Sequence, residues 1–195
     1  MSHRRRISFF CGSLLSLYGS FAMANFQYQE TREKNMIRAA IHNWYADADT
    51  YGNRRLPLNY ASSVMSNDFI ADMINGRGSF KLDKNKYIYM WNNVVARDSF
   101  FGAHHVLKMD IYSDPEENQP ADGVKSYEVV DHVFAVTQRS AEAQQDREIY
   151  THKWKILMQP ETEKVSMKAL IAYVDPVMTA IYQEVENVMQ AYVAD

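Results

Sequence analysis

From Thr31 to Tyr51 the apolar side chains Ile37, Ala40, Ile41, Trp44 and Ala48 recur at i, i+3 and i+4. That spacing predicts an amphipathic helix. Pro57 suits the first turn of a second, short helix, with Leu58, Ala61, Val64 and Met65 on its apolar side. Asp68–Ile74 and Ser79–Leu82 predict a small hairpin around Asn75-Gly76-Arg77-Gly78. Asp83 is placed to cap a third helix that buries Tyr87, Met90, Trp91, Val94 and Val95. From His104 the period changes. Strands are predicted over His104–Tyr112, Val124–Gln138, Arg147–Met158 and Lys164–Val174, separated by the polar turns Asp114–Gly123, Arg139–Asp146 and Pro160–Glu163. After Asp175-Pro176 a last amphipathic helix carries Val177, Ile181, Val185, Val188 and Tyr192. Helices first and a meander of long antiparallel strands later predict an α+β domain.

Strand alternation sorts side chains between two sheet faces. His105 shares a face with Leu107, Met109 and Ile111, and His104 falls on the other with Lys108 and Asp110. His132 lies with Val130, Phe134 and Val136; His152 lies with Tyr150, Trp154, Ile156 and Met158. The expectation is that His105, His132 and His152 face one concave interior. Val106, Tyr127, Val129 and Val133 then point outward, and that face is more apolar than solvent requires. Asp49 sits near the C-terminus of the first helix, where the helix dipole disfavours a carboxylate. An imidazole partner would hold it there. An Asp–His pair is an acid/base unit: the carboxylate fixes the imidazole tautomer and stabilises the cation formed on proton abstraction. Trp44, Tyr45, Met73, Trp91, Leu107, Phe134 and Trp154 are expected to wall the pocket.

Composition adds a compartment. Arg4-Arg5-Arg6, an apolar run from Ile7 to Phe21 and the small residues of Ala22-Met23-Ala24 form the three parts of a signal peptide, with cleavage expected before Asn25. The run is shorter than the roughly 20 apolar residues of a spanning helix, so no membrane attachment is expected once it is removed. The expected division is a signal over 1–24, the main domain over 25–175 and a C-terminal helix over 176–195. Cys11 is the only cysteine and leaves with the signal, so neither disulfides nor thiol chemistry is expected. Three arginines and no acids leave with it, and the formal charge falls from −3 to −6. An acidic domain without a basic cluster argues against a nucleic-acid partner. At 47% hydrophobic, with 13 Tyr, 9 Phe and 3 Trp, the chain can fill one core.

The Trp44-Tyr45-Ala46-Asp47-Ala48-Asp49 end of the first helix, two further helices, a small hairpin and then His104-His105 opening the first long strand resemble the SnoaL-like domains of the NTF2-like superfamily. The resemblance covers roughly residues 30 to 175. It implies a curved sheet wrapped around its helices as a cone with a pocket inside, and homodimers paired through the outer sheet face. Asp49 and His105 fall where the scytalone-dehydratase branch keeps an Asp–His pair. That branch has tyrosines where this sequence has Ala48 and Met73, so dehydration of the same substrate is not expected. Tyr45, Tyr60, Tyr87 and Tyr150 are the tyrosines left to supply a hydroxyl.

The resemblance spans catalysts, ligand carriers and interaction modules, and fold alone does not choose among them. The catalytic reading is a periplasmic or secreted, cofactor-independent lyase or isomerase acting on a small, largely apolar molecule. It uses Asp49 and His105, with His132 or His152 opposite. The rival is a non-catalytic binding or interaction module, in which Asp47 and Asp49 are solvated helix-end residues and the histidines are hydrogen-bonded core residues. A catalyst needs a hollow interior with the Asp–His pair in reach; an interaction module fills that space. No HExxH pattern and no cysteine ligand is present in the mature domain, so no metal is expected.

Overall fold

The computed structural model describes residues 30–51, 58–75, 78–95, 101–113 and 123–174. The expected signal over 1–24, Pro57, the turn residues Gly76 and Arg77, most of the turn after Ser113 and the C-terminal helix over 176–195 lie outside the described residues. The chain divides into two compact units, Met1–Met36 and Ile37–Asp195. In the first, the described residues are helical, with Lys34 and Glu30 paired at 2.7 Å one turn apart.

In the second unit the helical residues 37–48 form α1. It buries Ile37, Ala40, Ile41, Trp44, Tyr45 and Ala48, the apolar stripe of the sequence. The helix stops at Asp49, whose N–H still bonds the Tyr45 carbonyl at 2.9 Å. Thr50–Tyr51 then form β1, a two-residue strand paired with Phe101–Gly102. The apolar spacing predicts helix as far as Tyr51; pairing with Phe101–Gly102 takes these two residues out of it. Next come α2 (Asn59–Val64), β2 (Met65–Asn75), β3 (Gly78–Asp83) and α3 (Lys84–Met90). Asp83 caps α3, its Oδ1 accepting the Lys86 N–H at 2.9 Å. A π-helical turn over Trp91–Val95 continues α3. Met65, read as helical, opens β2 instead.

The long strands β4 (Phe101–Ser113), β5 (Lys125–Gln138), β6 (Asp146–Gln159) and β7 (Lys164–Val174) complete a curved, seven-stranded sheet of order β1-β4-β5-β6-β7-β2-β3. All neighbours are antiparallel except β2 and β7. Its inner face carries Val129, Asp131, Val133 and Ala135 of β5 opposite Trp154, His152, Tyr150 and Glu148 of β6. Trp44 of α1 packs on that face, its ring centroid 5.2 Å from Trp154, 5.7 Å from Tyr87 and 6.0 Å from Phe69.

One residue changes the facing of β4. Val106 pairs with Val133 and Lys108 with His132, so Leu107 is an extra residue in the strand. Such a bulge shifts the alternation by one. Beyond it Met109 and Ile111 sit on the inner-face positions; before it His104 and Val106 do. Counting back from Ile111 without the bulge therefore assigns residues 104–107 to the wrong faces. Leu107 is 52% exposed. Among the described residues no helix is long and apolar enough to cross a membrane.

Candidate functional site

The inner face and α1 enclose a cavity of about 280 Å³. Trp44, Tyr45 and Ala48 of α1, Tyr87 and Met90 of α3, Trp91 of the π-turn and Met73 of β2 form part of its wall. His104, Ala135, Tyr150, His152, Trp154 and Leu170 form part of the sheet side.

Asp49 ends α1 where β1 turns the chain alongside β4, which brings its carboxylate against the start of that strand. One oxygen, Oδ1, accepts both the backbone N–H of His104 at 3.0 Å and the ring Nδ1 at 2.7 Å. The helix-end carboxylate has the imidazole partner that the dipole argument required, and it is His104. His105 is exposed on the outer face, its ring stacked with Phe134 at 6.2 Å. Both side chains of the pair are largely buried. Since the ionised carboxylate can only accept, the His104 proton sits on Nδ1, and Nε2 is the nitrogen left for chemistry.

A second cluster lies beside the first. Asp131 is fully buried in the middle of β5. Its Oδ2 accepts the Tyr45 hydroxyl at 2.9 Å and the Trp154 indole N–H at 3.1 Å. Its Oδ1 lies 3.2 Å from His152 Nδ1, and the Tyr45 hydroxyl oxygen lies 2.8 Å from that same nitrogen. The Tyr45 ring faces both histidines, with centroids 5.5 Å from His104 and 5.8 Å from His152. Burial, followed by the charge and hydrogen bond of Asp131, holds the Tyr45 phenol well above its ordinary range. Burial raises Tyr87, and burial together with the bond from its hydroxyl to Glu148 raises Tyr150.

The expected wall residues Trp44, Tyr45, Met73, Trp91 and Trp154 line the cavity, and so does His152. His105, His132, Leu107 and Phe134 do not. Leu107 is the bulge residue, and His132 and Phe134 occupy the alternate, outer positions of β5. There His132 Nδ1 lies 3.0 Å from Thr151 Oγ1. Val129, Val133 and Tyr127, expected outside, are buried on the inner face. Asp47 has a structural partner: its Oδ2 accepts the Ala61 N–H at 3.0 Å and so caps α2. His104 and Asp131 were missed. The signals available were the adjacent apolar pair Val106-Leu107, which breaks alternation before Lys108, and the lone carboxylate between Val129 and Val133. Among the described residues no group of three or more His, Cys, Asp or Glu side chains is placed to hold a metal ion.

No family model and no curated protein sequence matches this chain. Solved structures do match it. A scytalone-dehydratase-like protein of Novosphingobium aromaticivorans superposes with a TM-score of 0.57 at 9% identity, over 76% of this chain and 88% of its own. A hexachlorocyclohexane dehydrochlorinase, LinA type 2, gives 0.52 at 13% identity, over 74% and 89%. An NTF2-like protein with a cystatin-like fold, also from Novosphingobium aromaticivorans, gives 0.51 at 11% identity, over 89% and 93%. The chain has the NTF2-like, cystatin-like fold. At these identities the likeness is one of fold.

Proposed function

We propose that the protein is an exported, cofactor-independent lyase or isomerase for a small, largely apolar molecule, with Asp49 and His104 as its acid/base pair. The observation that carries the reading is the 2.7 Å contact between Asp49 Oδ1 and His104 Nδ1 on the wall of a hollow, mostly aromatic cavity. The pair fixes the imidazole tautomer, so Nε2 can take a proton from carbon while the carboxylate stabilises the cation that forms. A cavity at the small end of the ~300–1,000 Å³ range typical of ligand sites suits a single small ring. Fold neighbours described as a scytalone-dehydratase-like protein and a hexachlorocyclohexane dehydrochlorinase add support, because an elimination of water or of hydrogen chloride takes a hydrogen from carbon.

The test is proton exchange. A panel of small cyclic ketones is incubated in D₂O with the wild type, Asp49→Asn and His104→Gln, and deuterium incorporation next to the carbonyl is followed. Exchange by the wild type that falls by roughly 10²–10⁴-fold in both variants supports catalysis. Ligand binding without exchange across the panel favours the carrier reading.

Two further parts of the proposal stand on separate tests. Export with cleavage before Asn25 is read by intact mass of protein recovered from a periplasmic fraction. A homodimer keeps its place through the exposed outer-face residues Ile70, Ile74 and Ile171, since Val129, Val133 and Tyr127 are interior. Light scattering at twice the chain mass, lost in Ile171→Lys, is the expected result.

A further inference from the structure

The cluster around Asp131 is not used by the Asp49–His104 pair, yet it reaches the same cavity through Tyr45, His152 and Trp154. Asp131 has 0% exposure, in a strand whose neighbouring inner-face residues are valines. A buried carboxylate in such a place needs donors on its oxygens. The single Tyr45 hydroxyl proton goes to Oδ2, as does the Trp154 N–H. Both groups line the cavity, but their protons are committed to Asp131 and are not offered to a bound molecule. The remaining contact is His152 Nδ1, 3.2 Å from Oδ1 and 2.8 Å from the Tyr45 oxygen. Both of those oxygens can accept. With the proton on Nδ1, every member of the cluster is satisfied. With it on Nε2, a nitrogen lone pair would face a carboxylate oxygen inside a fully buried site.

We propose that His152 is a second proton-transfer group of this pocket, held as the Nδ1–H tautomer by Asp131, and that its Nε2 serves an oxygen atom of the bound molecule. The inference rests on the acid/base reading of the site given above. Asp131, Tyr45 and Trp154 act through His152 and are positioning residues. Oxygen is the matching function because a carbonyl or hydroxyl can either accept the Nε2 proton or give one up, whereas a departing halide requires none. In the simplest case a carbonyl compound enolises. The C–H proton passes to His104 Nε2, and the C–H electron pair becomes the new carbon–carbon π bond. The carbonyl π pair moves to oxygen and takes the Nε2 proton of doubly protonated His152. One imidazole gains a proton and the other loses one, so the protein's net charge is unchanged and exchange with solvent resets both.

The test is nitrogen NMR on full-length protein labelled with ¹⁵N-histidine, recorded above the histidine range at about pH 8.5. His152 is expected as Nδ1–H. Asp131→Asn should move it toward Nε2–H, because the amide can donate to Nδ1. If Asp131→Asn does not fold, Tyr45→Phe provides the second reading, in which Asp131 alone should keep the proton on Nδ1. Phenol, a ring bearing one oxygen, should shift His152 Nε2, and toluene, the same ring without it, should not. A wild-type Nε2–H tautomer, or equal shifts with phenol and toluene, overturns the proposal. The two site readings fail separately: loss of the Asp49 arrangement shows in the His104 nitrogens, and loss of this one in those of His152.

Discussion

A single oxygen of Asp49 ties the end of α1 to the start of β4, accepting both the backbone N–H and the ring Nδ1 of His104. The backbone bond fixes where the strand begins relative to the helix. The ring bond fixes which imidazole nitrogen faces the cavity. Position and tautomer are thus set by one side chain, and the site geometry depends on the helix ending at that residue.

Asp47, two residues earlier, has a different task, and the two carboxylates should separate experimentally. Asp47→Ala removes the α2 cap at Ala61 and should cost about 0.5–2 kcal/mol of stability. It should leave the His104 ring signals in place. Urea denaturation of Asp47→Ala beside the wild type measures the loss, and an unchanged midpoint would contradict the capping role.

The bulge at Leu107 reverses which side chains tolerate polarity. Leu107→Ser should stay within about 0.5 kcal/mol of the wild type, as exposed positions usually do. Val129→Ser puts an unpartnered hydroxyl at a position with 0% exposure and should cost at least about 1–3 kcal/mol. The reverse order in thermal melts would mean that β4 runs without the bulge.

How much of this was legible in the sequence follows from these same residues. The helix stripe of Ile37, Ile41 and Trp44, the Asp83 cap, the hairpin and the span of β7 were readable, because each depends on local spacing or on one capping side chain. The facing of β5 was not. Val129 and Val133 on one face are matched by Val130, Phe134 and Val136 on the other, so alternation gives the period without choosing the inside. The facing of β4 was lost to a single extra residue. Asp49 was found because a helix-end carboxylate needs a partner, but the choice between adjacent histidines required the register. Asp131 was not legible because its three donors come from α1 and β6, distant in the chain.

Alkaline pH should destabilise the fold through its buried phenols. Tyr45, Tyr87 and Tyr150 are all held above the ordinary tyrosine range, burial being the largest cause at each. The unfolded chain deprotonates near about pH 10, while these groups stay protonated when folded. Their contribution is whole below that pH and is lost as pH rises from there toward the folded values. Each adds ~1.4 kcal/mol per pH unit to the fall in stability. The unfolding free energy from urea denaturation should hold to about pH 10 and fall above it, less steeply in Tyr87→Phe. A flat wild-type profile would show that the phenols are not buried.

The Asp131 cluster should behave as one unit in stability. Asp131→Ala removes the acceptor for the Tyr45 hydroxyl and the Trp154 indole and should cost about 3–5 kcal/mol. Tyr45→Phe should cost about 1–3 kcal/mol. The double variant should lose less than the two separately, because they belong to one network. Strict additivity would place Tyr45 outside it.

The most direct test of the account is the pairing of Asp49 with His104 rather than with His105. Long-range ¹H–¹⁵N spectra resolve the ring nitrogens of both histidines in the wild type and in Asp49→Ala. The account predicts His104 as the Nδ1–H tautomer, that proton signal lost or redistributed in Asp49→Ala, and His105 unchanged between the two. A His104 ring protonated on Nε2, with the response to Asp49→Ala appearing at His105, would contradict it.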